Sequence, residues 1–264
     1  MTTSTAGTPR PGTALDRLWI RRFHPAPAPS VRLLCLPHAG GSASAYFALS
    51  KALAPEVEVL AVQYPGRQDR RDEPLLDSIA ALRAGLAEAL TPWLDRPIAV
   101  FGHSMGALLG YETARLLAED ERARLVHLFV SGRGDPARTV GVALDLLDDR
   151  AMVTALGDLG GTDPRLLDDE DVLEMVAPAI RSDYRAVRTY HHEPGPPLPC
   201  PVTALVGDQD AMAPVDDVEK WRAHTASEFS LKVFGGGHFY LLEQFQKVSE
   251  DVYDGLLNSP SVQT

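Results

Sequence analysis

The stretch that most constrains this chain is Phe101-Gly102-His103-Ser104-Met105-Gly106-Ala107. An apolar run, 98–101, leads into it and a helix-compatible segment, 107–119, leads out, so the pattern reads strand, tight turn, helix. A serine at such a turn sits on strained backbone. Glycine two positions to either side avoids the collisions that a side chain there would make with strand or helix. The turn lifts the hydroxyl out of the sheet, and the helix that follows aims its unpaired N–H groups and positive dipole end at a reacting carbonyl.

The rest of the chain alternates in the way this unit requires. Residues 18–23, 31–36, 57–62, 125–131, 202–206 and 229–234 read as further strands, and 45–54, 79–93 and 241–257 as helices. Strands joined by helices predict an α/β class, a mostly parallel, doubly wound sheet with active residues at the strands' carboxyl ends. With 264 residues and 45% apolar composition there is enough chain for one substantial core, expected as a single domain over 16–264. The Thr/Pro/Gly-rich start, 1–15, is expected to be a disordered tail and lacks the layout of a signal peptide.

From about 133 to 199 the alternation lapses, far too long for an ordinary connection. Leu144, Leu146, Leu147, Met152, Val153, Leu156 and Leu159 form an apolar series, Gly160-Gly161 breaks it, and a second helical pattern covers 168–180. The Asp and Glu residues between read as a solvated outer face rather than as metal ligands. Amphipathic helices inserted beside a site in such a sheet are expected to form a lid, the alternative being a packed ornament without a gating role. A net charge of −11 argues against general nucleic-acid binding. No apolar run approaches membrane-spanning length. Cys35 and Cys200 give neither a disulfide framework nor metal spacing and read as reduced, buried thiols of a cytoplasmic protein.

Serine needs a base to attack at neutral pH. His238 follows the strand 229–234 and three glycines, which suits it to that part; His38 and His103 flank the site and read as shaping the backbone. The pair His191-His192 reads as surface rather than as a metal site. Asp208 and Asp210, after the strand 202–206, compete to orient the imidazole, and Asp210 is expected because it lies past the strand end. The order serine, acid, histidine is that of an α/β-hydrolase whichever aspartate serves. The loop Pro37-His38-Ala39-Gly40-Gly41-Ser42 carries no phosphate-binding fingerprint. It is expected to supply the N–H of Ala39 as one oxyanion donor, with that of Met105 as the other. These residues predict an acyl-transferring serine hydrolase.

Five segments go further. Pro-His-Ala-Gly-Gly (37–41), Gln-Tyr-Pro-Gly-Arg (63–67), Gly-His-Ser-Met-Gly-Ala (102–107), Arg-Ser-Asp-Tyr (181–184) and Gly-Gly-His-Phe-Tyr-Leu (236–241) stand in the order seen in type II thioesterases. The chain resembles these stand-alone editing enzymes of polyketide and nonribosomal peptide synthesis from Arg32 to Leu242. Ala211 and Ser182 are small departures, where proline and alanine are usual. The resemblance implies an α/β-hydrolase core, a triad of Ser104, Asp210 and His238, and oxyanion donors at Ala39 and Met105. It also implies that the enzyme needs no metal or cofactor, the phosphopantetheine arm belonging to the acyl or peptidyl carrier domain on which it acts. Carrier domains of this kind are acidic, so a basic docking surface is expected. Arg67, Arg70 and Arg71, with Arg181, Arg185 and Arg188, are its candidates, pairing with nearby carboxylates being the alternative. A carboxylesterase or peptidase on the same scaffold, and a non-catalytic protein that docks on a synthase, are the competing functions.

Overall fold

The structure is a computed structural model that describes residues 14–138, 144–160 and 170–257. Its centre is a seven-stranded sheet in the order β1-β3-β2-β4-β5-β6-β7. The strands are β1 Ile20–Arg21, β2 Val31–Leu36, β3 Val57–Val62, β4 Ile98–His103, β5 Leu125–Ser131, β6 Val202–Gly207 and β7 Phe229–Phe234. Only β1 runs antiparallel to its neighbour; every other pairing is parallel. Strands β2, β3, β4 and β6 are buried along their whole length, as continuous apolar runs covered on both faces should be.

Register sorts the side chains into two cores. Leu34 lies level with Leu60 and Val100, and Val100 with Leu128, and all four pack into the cluster on one face. One residue along, Cys35, Ala61, Phe101 and Phe129 fall on the other face. Helices α1 Ala14–Trp19, α3 Ile79–Leu90 and α4 Met105–Glu119 cover the first face, while α2 Phe47–Leu53 and the C-terminal helix Phe245–Leu257 cover the second. Each fully buried leucine in these layers contributes about 2 kcal/mol. Ser78 starts α3 by accepting a hydrogen bond from the Ala81 N–H, a cap worth about 1 kcal/mol.

The first strand is shorter than the expected 18–23. Leu18 and Trp19 end α1, and only Ile20 and Arg21 pair, with Val62 and Ala61. The Trp19 indole explains this: it is buried in the first core, with the Arg70 guanidinium 4.7 Å above its ring, and the Trp19 carbonyl accepts from the Gln63 N–H. Residues 14 and 15 of the expected tail open α1; the remainder of that tail lies outside the described residues.

Within the insertion the structure gives a 3₁₀ turn Leu144–Leu146, α5 Asp149–Asp158 and α6 Glu170–Arg188. Positions 168 and 169 of the second expected helix lie outside the described residues, and α6 runs eight residues past the expected end. It continues because its buried face continues. Ala177, Ile180 and Tyr184 recur at helical spacing and pack with Met152 into a third, smaller apolar cluster. Not all of the apolar series faces inward: Leu146 and Leu147 are exposed. The acidic residues are not uniformly solvated either. Asp145 is buried, gripped by the Arg188 guanidinium at 2.8 Å, which holds its carboxyl below the usual carboxylate range.

Candidate active site

Ser104 stands between β4 and α4 at φ 56°, ψ −115°, a conformation that costs a non-glycine residue on the order of 1–3 kcal/mol. Its surroundings hold it there. The Ser104 N–H donates to the Ser131 carbonyl at 2.8 Å, and its own carbonyl accepts from Ala107. A Cβ on Gly102 would lie 2.0 Å from the Gly106 carbonyl oxygen, and one on Gly106 would lie 2.0 Å from that of Leu36. Both obstacles are backbone, so the glycines at 102 and 106 are steric requirements of the turn. Met105 supplies the first N–H of α4, one of the groups that has no partner within a helix.

His238 and Asp210 reach the same place from neighbouring strand ends. His238 follows β7, Asp210 follows β6, and both are buried. The His238 Nδ1–H donates to Asp210 Oδ2 at 2.8 Å. A carboxylate only accepts, so this bond fixes the proton on Nδ1 and leaves the Nε2 lone pair available. Asp210 Oδ1 accepts from the N–H groups of Met212 and Ala213, at 2.9 and 3.2 Å, which fixes the carboxylate in turn. Asp208 is engaged elsewhere: its Oδ1 accepts from the Gly236 N–H at 2.9 Å and braces the glycine loop.

Ser104 and His238 line a cleft of about 150 Å³ together with His38, Ala39, Gly40 and Phe239. Leu156 of α5 and Val176, Ile180 and Tyr184 of α6 form its other wall, so α5 and α6 both border the cleft. Three histidine rings meet here, His38 and His238 in the cleft lining and His103 beside them. His103 lies 5.0 Å from His238 and 6.0 Å from His38, ring centre to ring centre. Burial, with His238 nearby, pushes the His38 imidazole down to about 4 and that of His103 well below its usual range. Both are held neutral. His103 Nδ1 shares a hydrogen bond with Ser131 Oγ at 2.9 Å, and Ser131 Oγ another with the Tyr240 hydroxyl at 2.6 Å. Ser131 thus ties the serine turn to the loop that carries His238.

A second brace was not foreseen. Asp183, on α6, has no exposed surface. Its Oδ1 and Oδ2 accept from the two terminal nitrogens of Arg67 at 2.9 and 3.0 Å, and Oδ2 also accepts from the Gly40 N–H at 2.7 Å. Burial pushes the carboxyl up, against the pull of Arg67. The sequence did carry a signal: Val176, Ile180 and Tyr184 are apolar at helical spacing, and Asp183 falls on the face they define.

The candidate docking arginines are distributed differently from the expectation. Arg67 and Arg70 are buried; Arg70 pairs with Glu73 and donates to the Gln63 carbonyl at 2.8 Å. Arg181 donates to the carbonyls of Asp145 and Leu147 and pairs with Asp149, so with Arg188 it organises the start of the insertion. Arg71 and Arg185 lie at the surface, at 3.8 Å from Asp72 and 3.4 Å from Asp77. The six arginines do not form one basic face. Cys35 and Cys200 are buried free thiols. Among the described residues, no three His, Cys, Asp or Glu side chains are grouped to hold a metal. His192 lies beside Tyr111 and His224. No helix among those residues is long and apolar enough to cross a membrane.

Comparison with known proteins agrees with this geometry. The thioesterase domain model matches residues 31–255. Thioesterase PikA5 of Streptomyces venezuelae is 49% identical over 251 residues, 95% of this chain and 89% of that protein. The solved structure of the type II thioesterase BorB, from the borrelidin biosynthetic cluster, superposes with a TM-score of 0.84 at 45% identity, covering 90% of this chain and 97% of that one. YbtT, a type II thioesterase of the yersiniabactin pathway, superposes at 0.79 with 31% identity, over 89% and 96% of the two chains. The serine turn, the sheet that carries it and the helices that wall the cleft therefore belong to a member of the thioesterase family, of the type II kind.

Proposed function

We propose that the protein hydrolyses acyl thioesters carried on the phosphopantetheine arm of acyl or peptidyl carrier domains, freeing a polyketide or nonribosomal peptide synthase of aberrant or stalled acyl groups. The observation that carries this reading is His238, paired with Asp210 at 2.8 Å and lining one cleft with the strained Ser104 turn in a thioesterase fold.

The chemistry follows from the groups present. His238 Nε2 takes the Ser104 hydroxyl proton as Oγ attacks the thioester carbonyl, and Asp210 stabilises the imidazolium that forms. The N–H groups of Met105 and Ala39 hold the oxyanion, each donor being worth roughly 3–4 kcal/mol of the barrier. When the carbonyl re-forms, the C–S bond breaks, and His238 gives its proton to the departing pantetheine thiolate. A water then attacks the Ser104 ester, losing its proton to His238, which returns it to Ser104 Oγ as the free acid leaves. Every proton is accounted for by His238, so the reaction needs no cofactor of the enzyme's own.

The relatives' pathways and the buried free thiols support a carrier-domain partner and a cytoplasmic setting. A chain of net charge −11 meets an acidic carrier against bulk repulsion, so any basic contact must be local. Arg71 and Arg185 are the two candidates with exposed side chains. A hydrolysis panel tests the reading: acyl groups loaded on carrier protein, the same groups on pantetheine alone, and matched oxygen esters. Thioesters should turn over faster than oxygen esters, and the carrier-borne form most efficiently. Preference for oxygen esters would make the protein a carboxylesterase instead.

A further inference from the structure

The geometry points to Asp183 as a positioning residue for the oxyanion loop, through which α6 makes hydrolysis depend on its own seating over the cleft. This rests on the serine mechanism proposed above and concerns a residue to which that mechanism gives no part.

The loop 37–41 must present the Ala39 N–H to the developing oxyanion, yet few interactions within the loop hold it. The Gly41 N–H donates to the His38 carbonyl at 2.9 Å, and Gly40 adopts φ 76°, a left-handed conformation that leaves the segment short of regular backbone bonds. The next anchor is the Asp183 carboxylate, which accepts from the Gly40 N–H at 2.7 Å. That bond fixes the Ala39–Gly40 peptide, the peptide unit next to the one whose N–H the chemistry uses. Asp183 is itself fixed by both terminal nitrogens of Arg67, whose guanidinium lies 5.1 Å from the centre of the Tyr64 ring. The Tyr64 hydroxyl donates to the Pro37 carbonyl at 3.1 Å. The loop is therefore held at Pro37 from the β3 side and at Gly40 from α6.

The apolar contact follows the same path. A Cβ on Gly40 would come within 2.8 Å of Ile180 Cγ1, so α6 lies directly against the loop, with Asp183 less than one turn further on. Ile180 and Tyr184 border the cleft and Asp183 reaches behind it. A displacement of α6 removes the wall and the anchor together. Oxyanion stabilisation depends on donors being fixed before charge develops, and a misplacement of about 1 Å can cost on the order of a hundredfold in rate.

Two variants separate positioning from folding. Asp183→Asn keeps the shape but sets an amide NH2 against the buried Arg67 guanidinium, donor against donor, so the side chain is no longer held where it meets the Gly40 N–H. The double variant Arg67→Met/Asp183→Leu removes both buried charges for apolar groups, an exchange that is often neutral or stabilising, and it leaves the Gly40 N–H unanchored. Each would be assayed for kcat and KM on an acyl-pantetheine, for affinity toward a boronic acid that mimics the tetrahedral oxyanion, and for affinity toward an uncleavable thioether analogue. Thermal melts would be recorded alongside. The expected result is a fall in kcat of about ten- to a hundredfold, a matching loss of boronate affinity, and thioether binding within about twofold of the parent. A folded variant of either kind with kcat and boronate affinity within twofold of the parent overturns the proposal, as does an equal loss of thioether and boronate binding. If the double variant does not fold, Asp183→Asn decides alone. Failure of the underlying mechanism would look different: Ser104→Ala would then stay active, whatever the Asp183 variants do.

Discussion

At the scale of single residues, the site is decided by what two aspartates are bonded to. Both follow β6, both suit the order serine, acid, histidine, and only their partners distinguish them. Asp210 is buried and accepts from His238, while Asp208 is exposed and accepts from Gly236. Asp210→Asn leaves the geometry but admits the wrong imidazole tautomer, so kcat should drop on the order of 10³–10⁴-fold. Asp208→Asn keeps a carbonyl oxygen for Gly236 and should cost less than about tenfold. Steady-state kinetics on one acyl-pantetheine would rank them, and the reverse order would contradict the assignment. The preference for Asp210 rests on its lying past the strand end, two residues beyond Asp208, and the structure puts that residue against His238. Asp183 was not legible in the sequence. Its partner Arg67 lies 116 positions away, and a helical pattern alone does not distinguish a carboxylate that meets water from one that meets a buried guanidinium.

At the scale of elements, β2 to β7 emerge where they were predicted; β2 to β6 carry their burial in composition as strands covered on both faces do, whereas β7 is an edge strand with only Phe234 buried. The insertion was less legible, since its stability is shared between a small apolar cluster and ion pairs such as Arg188 with Asp145. That cluster offers a test of what the two helices do. Met152 of α5 is fully buried against α6, in the cluster that includes Ile180 and Tyr184, and those two residues border the cleft. Met152→Trp overpacks the cluster by a strain of about 1–3 kcal/mol, which the cleft wall can relieve by moving inward. Efficiency toward hexanoyl-pantetheine should then fall about tenfold more than toward the acetyl form. A uniform change across chain lengths would mean that the helices are ornament and not wall.

For the whole molecule, several buried histidines tie stability to pH. His127 is buried between the sheet and the C-terminal helix, and burial pushes it down to about 4; burial acts on His103 in the same direction. In the unfolded chain each titrates near 6.5. The unfolded state therefore binds more protons between these values, so the stability that neutral histidines contribute is complete above about pH 6.5 and is lost as pH falls toward 4. One such residue accounts for roughly 2 kcal/mol between pH 7.5 and 5. Denaturant melts of the parent and of His127→Leu across that range should diverge in slope, the variant losing less. Parallel loss would show that His127 does not carry the dependence.

The account's central claim is that Ser104 carries the acyl group between the carrier and water. The most direct measurement is intact-protein mass spectrometry on samples quenched within milliseconds of mixing with acyl-loaded carrier protein. The account predicts a mass increase equal to one acyl group, located on Ser104 by peptide mapping and decaying as free acid appears. Ser104→Ala should stay folded and form no adduct, with turnover reduced by several orders of magnitude. Turnover without an adduct under conditions that make deacylation slow, or a Ser104→Ala variant that keeps a tenth of the parent activity, would contradict it.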